Sequence, residues 1–250
     1  MMYQGFAGVY DHLMEDVPYQ DWADLLDSLI IKYGNKGRKV MDLACGTGEI
    51  TLLLHEKGYK MTGADLSEDM LALAIQKAEE KKMPIRFFQQ DMREMEGHDL
   101  AYDAVIITCD SLNYLLEEQD VQSTFRAAAK MLNDDGLFLF DIHSIYKMKH
   151  IFTGSTFADA GDDVSLIWQC FEGEKEHSVE HELTFFVKED DECYRRIDEF
   201  HQQRTYEIEK LILWLNHAGF EVLESFGDFK PGEISEEAER IFFAAKKTRN

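Results

Sequence analysis

The stretch VMDLACGTGEI, residues 40–50, constrains the fold more than any other part of the chain. An apolar run of strand length ends in a Gly-x-Gly turn at Gly46 and Gly48, and a helical pattern begins at once with Glu49. Glycines in such a turn permit the positive φ angles of a sharp strand-to-helix reversal and let a ligand approach the backbone. The same grammar recurs. Apolar runs at 39–44, 59–65, 85–90, 102–108 and 136–142 alternate with helical patterns at 49–57, 68–82 and 117–132. That alternation predicts a mostly parallel sheet with helices on both faces. Ser67 stands where an N-cap would stand, with Glu68 and Asp69 in the first turn beyond it, so the second helix has a well-marked start.

From about Ser144 to Tyr206 the pattern changes. HSVEHELTFFVKEDDECYRRIDEFHQQRTY reads as two long strands joined at 189–192, with Val179, Leu183, Phe185 and Val187 on one face at period two. With 164–171 as a third strand, this predicts a small antiparallel sheet inserted after the fifth parallel strand. The α/β grammar then resumes with a helix at 207–218, Gly219 at its end, and strands at 220–229 and 240–247. The expected architecture is an α/β, Rossmann-like, seven-stranded core built from 1–145 and 207–250. Residues 146–206 form the inserted sheet, which is expected to shape a substrate pocket or a homodimer contact.

Charge narrows the partners. Forty-nine acidic residues against 26 Lys plus Arg leave a formal charge of −23, a field that repels phosphate-rich surfaces, so nucleic acid is not an expected partner. Lys77, Lys81 and Lys82 lie among Glu79 and Glu80 and read as a solvated helix end. No apolar run approaches the ~20 residues that span a bilayer, and no export signal opens the chain, so a cytoplasmic, membrane-free protein is expected. The four cysteines form no CxxC pair, and neither a disulfide framework nor a metal site is expected. His177 and His181 alternate with apolar residues, but no third ligand is evident, and they read as sheet histidines.

A dinucleotide fingerprint asks for a third glycine where this chain has Thr51. Acidic residues are the more informative feature. Asp42 lies inside the first strand, Asp65 at the tip of the second, and Asp91 at the tip of the third with Met92 beside it. Ligands of parallel sheets bind at such strand ends. A carboxylate there can take ribose hydroxyls, and a thioether can lie on a purine face. A cation would be welcome near Asp42 and a pyrophosphate would not.

Taken together, VMDLACGTGEI, GADLSEDML, QQDMREM, YDAVIITCDSLNYL and LNDDGLFLFDIHS resemble the motifs of the class I S-adenosylmethionine-dependent methyltransferases. The resemblance implies S-adenosylmethionine as cofactor. It implies that Ala44, Gly46 and Gly48 approach the methionine portion, that Asp42 supports it, and that Asp65 and Leu66 meet the ribose. Asp91 and Met92 would frame the adenine, with Met70 packed beneath and Cys109 bordering the sulfonium. GFAGVYDHL followed by PYQDW resembles the opening of small-molecule N-methyltransferases, which carries a methyl-site tyrosine over to Tyr10. The alternative for that segment is an amphipathic helix packing Phe6, Val9, Tyr10 and Leu13 on the sheet; Tyr3, Tyr19 and Trp22 are weaker candidates for a lid over the cofactor, with packing the favoured reading.

His143, at the tip of the fifth strand, stands where a general base could act or where a loop could be capped, and Asp110 is a second candidate. CDSLNY departs from the N-P-P-Y or D-P-P-Y signature of nucleobase N-methyltransferases. His201, Gln203 and Thr205 share one strand face, and Arg204 with Tyr206 the other; sequence leaves open which face meets the cleft. The expected function is methyl transfer to a small-molecule acceptor, with nitrogen as the expected atom. A non-catalytic nucleoside-binding protein and a protein or tRNA methyltransferase are the alternatives.

Overall fold

A computed structural model describes residues 6–14, 17–94, 101–189, 193–232 and 234–249. In chain order the elements are helices α1 (Phe6–Leu13) and α2 (Tyr19–Tyr33), strand β1 (Lys39–Leu43), α3 (Glu49–Glu56), β2 (Lys60–Asp65), α4 (Glu68–Glu80), β3 (Arg86–Gln89) and β4 (Tyr102–Ile107). A 3-10 turn (Ser111–Tyr114), α5 (Glu118–Met131), β5 (Leu132–His143) and a π-helical segment (Lys147–Phe152) follow. The inserted strands are β6 (Thr156–Ala160), β7 (Val164–Glu172), β8 (Ser178–Lys188) and β9 (Tyr194–Arg204), and α6 (Ile208–His217), β10 (Phe220–Gly227) and β11 (Arg240–Lys247) close the chain.

The large sheet has seven strands in the order β10-β11-β5-β4-β1-β2-β3. β11 pairs antiparallel with both β5 and β10, and every other pairing is parallel. The predicted α/β architecture with its added antiparallel sheet is the one observed. Both faces of the central strands are covered, so alternate residues feed two cores. Leu43, Val105, Phe138 and Phe140 pack with Phe125 of α5 and Leu211 and Leu215 of α6. Val40, Ile106, Leu139 and Phe242 pack on the other face with Leu26 of α2 and Leu54 of α3. Each buried Phe or Leu contributes about 1.5–3 kcal/mol of apolar transfer, so these two layers hold the strand tips in place.

Local chemistry fixes the turns that matter. Gly48 caps α3 at φ +82°, and a Cβ there would stand 3.1 Å from Cβ of Ala74. Ser67 caps α4, its hydroxyl accepting the Met70 N–H at 3.3 Å. Gly219 closes α6 at φ +88°.

Three features depart from the sequence reading. β5 begins at Leu132 rather than 136, because a register shift against β4 absorbs the Asn133–Asp135 stretch, with Asp135 at φ +62°. The inserted sheet has four strands, in the order β6-β7-β8-β9. The extra strand, β6, is exposed throughout and so lacks the apolar alternation that marks a strand. Residues 190–192 of the β8–β9 turn lie outside the described residues, as do Tyr3 and the side chains of Phe6 and Leu13. No helix among the described residues is long and apolar enough to cross a membrane.

α1 joins the two sheets. Val9 is buried among Val164, Leu166, Leu183, Phe185 and Val187 of the inserted sheet. Asp11 accepts the Thr47 hydroxyl at 2.6 Å and pairs with Lys77 of α4 at 2.7 Å. Lys77 also pairs with Glu49 at 2.7 Å, so it fastens this helix over the glycine loop instead of sitting in solvent.

Candidate active site

β1 and β2 end side by side, Asp42 in register with Gly63 and Leu43 with Ala64. The glycine loop then folds back on the tip of β2. Oδ2 of Asp65 accepts the Gly46 N–H at 2.8 Å, and Oδ1 accepts the Ser67 N–H at 2.8 Å. Gly46 lies at φ +54°, and a Cβ built on it would meet nothing within 4 Å. That opening belongs to a cavity bounded by Ala44, Gly46, Thr47, Glu49, Tyr19 and Tyr10. Among the described residues no Lys or Arg lines it. A phosphate would find no counter-charge here, whereas a phosphate-free, cationic nucleoside derivative fits the acidic rim and the bare backbone.

Asp65 and Asp91 stand at neighbouring tips: Asp65 pairs in register with Gln89, and its carbonyl accepts the Gln90 N–H at 2.9 Å. The Asp91 carboxylate is clasped by the Arg93 guanidinium at 2.6–3.1 Å, and this contact, first of all, holds its pKa below the ordinary value. Arg93 reaches on to Asp120 at 3.1 Å. Met92 packs against the core beneath this loop. Leu66 is 63% exposed and lines neither cavity. Its carbonyl accepts the Gln89 amide at 3.0 Å.

Asp42 stands apart from the cavity. It is fully buried, bonded through Oδ2 to the Thr51 hydroxyl, and its Oδ1 has no hydrogen-bond partner. Burial raises its pKa to about 7, against the opposing effect of the Thr51 bond. Thr51, in the place of the third glycine, therefore ties α3 to β1.

A second and larger cavity, about 520 Å³, lies between the tips of β4 and β5 and the inserted sheet. It shares Tyr10, Cys109 and Ser111 with the glycine-loop cavity. Burial, first of all, raises the pKa of the Tyr10 hydroxyl and of the Cys109 thiol well above their ordinary values, so both stay protonated. Tyr10 thus forms a neutral partition between the cavities. Tyr19, a weaker lid candidate in the sequence, lines the glycine-loop cavity beside it.

The floor of the larger cavity is a buried ionic cluster. Arg240 of β11 pairs with Asp110 at 2.9 Å and with Asp141 of β5 through a second short contact. Asp141 is 0% exposed, and it also accepts Trp22 Nε1–H at 3.1 Å, Cys109 N–H at 2.9 Å and Asp110 N–H at 3.0 Å. Those last two bonds hold Cys109 and Asp110 at φ +54° and +55°. Left-handed backbone costs a non-glycine residue about 1–2 kcal/mol, and Asp141 offsets that strain.

Asp110 also meets His143 Nε2 at 3.3 Å and accepts Gln203 Nε2–H at 2.9 Å. Burial works to raise its pKa, but His143 and then Arg240 outweigh it and hold the carboxyl well below the usual range. Burial lowers the His143 pKa, so the ring is neutral near pH 7. Its Nδ1 is buried without a hydrogen-bond partner.

Of the two faces of β9, His201 and Gln203 line the cavity, while Thr205 hydrogen-bonds the His143 carbonyl. Arg204 and Tyr206 turn away to the carbonyls of Leu116 and Leu115. Sequence reasoning missed Asp141 and Arg240, and it offered Trp22 as a lid or packing residue, not as a donor to Asp141. A lone Asp in the apolar run LFLFDIH was the available signal, since a charge there must find a partner. Among the described residues, no group of three His, Cys, Asp or Glu could hold a metal ion.

A family profile described as a methyltransferase domain matches residues 40–136. The chain is 50% identical over 248 residues to a Geobacillus sp. (strain WCH70) protein named as a methyltransferase, covering 99% of this chain and 100% of that one. The crystal structure of an S-adenosylmethionine-dependent methyltransferase from Clostridium acetobutylicum ATCC 824 is 30% identical, with a TM-score of 0.88 over 98% of each chain. A sugar N-methyltransferase from Streptoalloteichus sp. ATCC 53650, 19% identical, shares the fold with a TM-score of 0.77 over 100% of this chain and 96% of its own. The chain belongs to the class I S-adenosylmethionine-dependent methyltransferases.

Proposed function

We propose that the enzyme methylates an amino nitrogen of a ring-sized small molecule held in the 520 Å³ cavity, with Tyr10 and His143 beside the reacting atoms. Bound S-adenosylmethionine supplies an electrophilic methyl group on a sulfonium. In this reading Asp65 takes the ribose, the backbone from Ala44 to Gly48 takes the methionine portion, and Asp91, Met70 and Met92 surround the adenine.

The observation that carries the proposal is the meeting of the two cavities at Tyr10, Cys109 and Ser111. Methyl transfer needs little from the protein besides alignment, and alignment can supply about 7–11 kcal/mol. Two binding spaces with a shared wall provide it. Asp110, Asp141 and Arg240 together leave one net negative charge beneath the acceptor cavity, which favours entry of an ammonium. A neutral His143 whose Nε2–H faces Asp110 leaves a lone pair on Nδ1, which can take the ammonium proton. Asp110 then stabilises the resulting imidazolium.

Size argues for a ring. The cavity volume falls within the roughly 300–1,000 Å³ range that encloses drug-sized ligands, far more than a two-carbon amino acid fills. The fold shared with the sugar N-methyltransferase is consistent with this choice. The test is an assay of glucosamine, cyclohexylamine and glycine, each with S-adenosylmethionine, followed by mass spectrometry of the products. The expected outcome is N-methylation of the ring amines with little or none of glycine. Transfer to oxygen alone, or to glycine in preference, would defeat the proposal.

A further inference from the structure

Strand β9 ends the inserted sheet, and its pairing with β8 runs without a break from Tyr194 to Arg204. The Glu189 N–H donates to the Cys193 carbonyl and the Thr205 N–H to the His177 carbonyl, each at 3.0 Å, so odd-numbered positions along this strand spend their backbone groups on β8. Even-numbered positions turn theirs to the opposite edge. At the C-terminal end that edge is covered, because Asn113 of the 3-10 turn donates to the Arg204 carbonyl at 2.9 Å. Over Tyr194 to Phe200 no strand among the described residues pairs with it. An open edge of this length is a template for another strand.

The sequence of that edge, YRRIDEF at residues 194–200, is complementary to its own reverse. With a second copy antiparallel and Ile197 opposite the partner's Ile197, Arg196 faces the partner's Asp198 and Arg195 faces the partner's Glu199. Tyr194 then faces the partner's Phe200. Each of these pairings occurs twice about a two-fold axis. The backbone alternation admits only registers that set even positions against even positions. A step to either side brings Arg196 against the partner's Arg196 or Asp198 against the partner's Asp198, and like charges directly opposite repel. One register is therefore selected.

The side chains are placed for it. Arg196 and Asp198 already pair at 2.8 Å on the solvent face, and a second copy would complete a ring of two guanidiniums and two carboxylates. Arg195, held at 3.3 Å by Glu189, lies on the other face with Glu199. Tyr194 and Phe200 are each more than half exposed, and the pairing covers both.

We infer that β9 is a homodimer contact in which two four-stranded inserted sheets join edge to edge into one antiparallel sheet centred on Ile197. The two-fold axis runs perpendicular to that sheet. His201 and Gln203, which line the 520 Å³ cavity, share the Ile197 face, so both cavities lie on the same side of the joined sheet. The contact holds whatever the acceptor is.

Sedimentation velocity of the full-length enzyme should give a dimer at about 100 μM, enough to populate a micromolar contact. Arg195→Glu with Arg196→Asp makes the edge acidic throughout, and Asp198→Lys with Glu199→Lys makes it basic throughout. Each double variant should self-associate at least about tenfold more weakly than the wild type. Mixed in equal amounts the two should form a heterodimer, identified by its mass in native mass spectrometry, because every charge pair across the axis is then opposite in sign. A monomeric wild type, variant homodimers as tight as the wild type, or a mixture that stays monomeric would overturn the inference. Amide exchange on the wild type decides the matter if a variant does not fold. The Arg196 and Asp198 amides should exchange more slowly as protein concentration rises, and those of Ile197 and Glu199, already bonded to β8, should change much less. Arg196 and Asp198 amides indifferent to concentration overturn it equally.

Discussion

Replacing Asp141 with Asn is expected to destabilise the enzyme by about 3–5 kcal/mol, although the side chain keeps its shape. Four donors converge on the carboxylate. Trp22 Nε1–H and Cys109 N–H meet Oδ1, while Asp110 N–H and the Arg240 guanidinium meet Oδ2. An amide offers one oxygen and one NH₂ group. Whichever way it turns, two donors face a third donor in a site without water access, and Arg240 loses one of its two counter-charges. The left-handed Cys109–Asp110 pair also loses one of the two bonds that hold it. For a chain of this size each kcal/mol moves the midpoint by roughly 2–4 °C, so thermal unfolding should begin about 10 °C lower. A shift under about 2 °C would mean that the cluster does not hold the strand tips together.

Tyr10→Ala is expected to lower kcat about 100-fold on the best amine acceptor while changing S-adenosylhomocysteine affinity much less. Tyr10 walls both cavities at the place where they meet. Its protonated hydroxyl excludes it as a base, so its contribution is alignment and the exclusion of water. Misplacing the reacting atoms by about 1 Å costs on the order of 100-fold. Tyr10→Phe, which keeps the ring, should retain most of the rate. Equal losses in the two variants would assign the effect to the hydroxyl and contradict the partition role. Single-turnover measurements separate the chemical step from product release.

The contrast between these residues explains what the sequence disclosed. Strand order and helix positions follow from local periodicity, and Gly46, Gly48 and Ser67 announce their turns by residue type. Asp65 and Tyr10 were singled out because each lies in a local motif. Asp141 and Arg240 are 99 positions apart and meet only through the antiparallel pairing of β11 with β5, where Arg240 sits opposite His143 and Phe242 opposite Asp141. No local pattern reveals that register. The two faces of β9 pose the same difficulty. Alternation separates His201 and Gln203 from Arg204 and Tyr206, but only the docking of the inserted sheet decides which pair meets the cavity. Asp42 was legible only in part. Its spacing from Gly46 suggested bonds to loop amides or to a ligand, and tertiary packing gives one of its oxygens the Thr51 hydroxyl, which that spacing did not announce. Asp91 was placed correctly at its strand tip, but its clasp by Arg93, two residues on, was not anticipated.

The central claim is that the methyl group is presented at the wall shared by the two cavities. The direct measurement is the nuclear Overhauser pattern of S-adenosylmethionine carrying a carbon-13 methyl group, bound to the wild-type enzyme. Cross-peaks from that methyl to the Tyr10 ring and the Cys109 β-protons are expected. Cross-peaks to Leu66 or Met92 in their place would put the reacting carbon at the far end of the cleft and contradict the account.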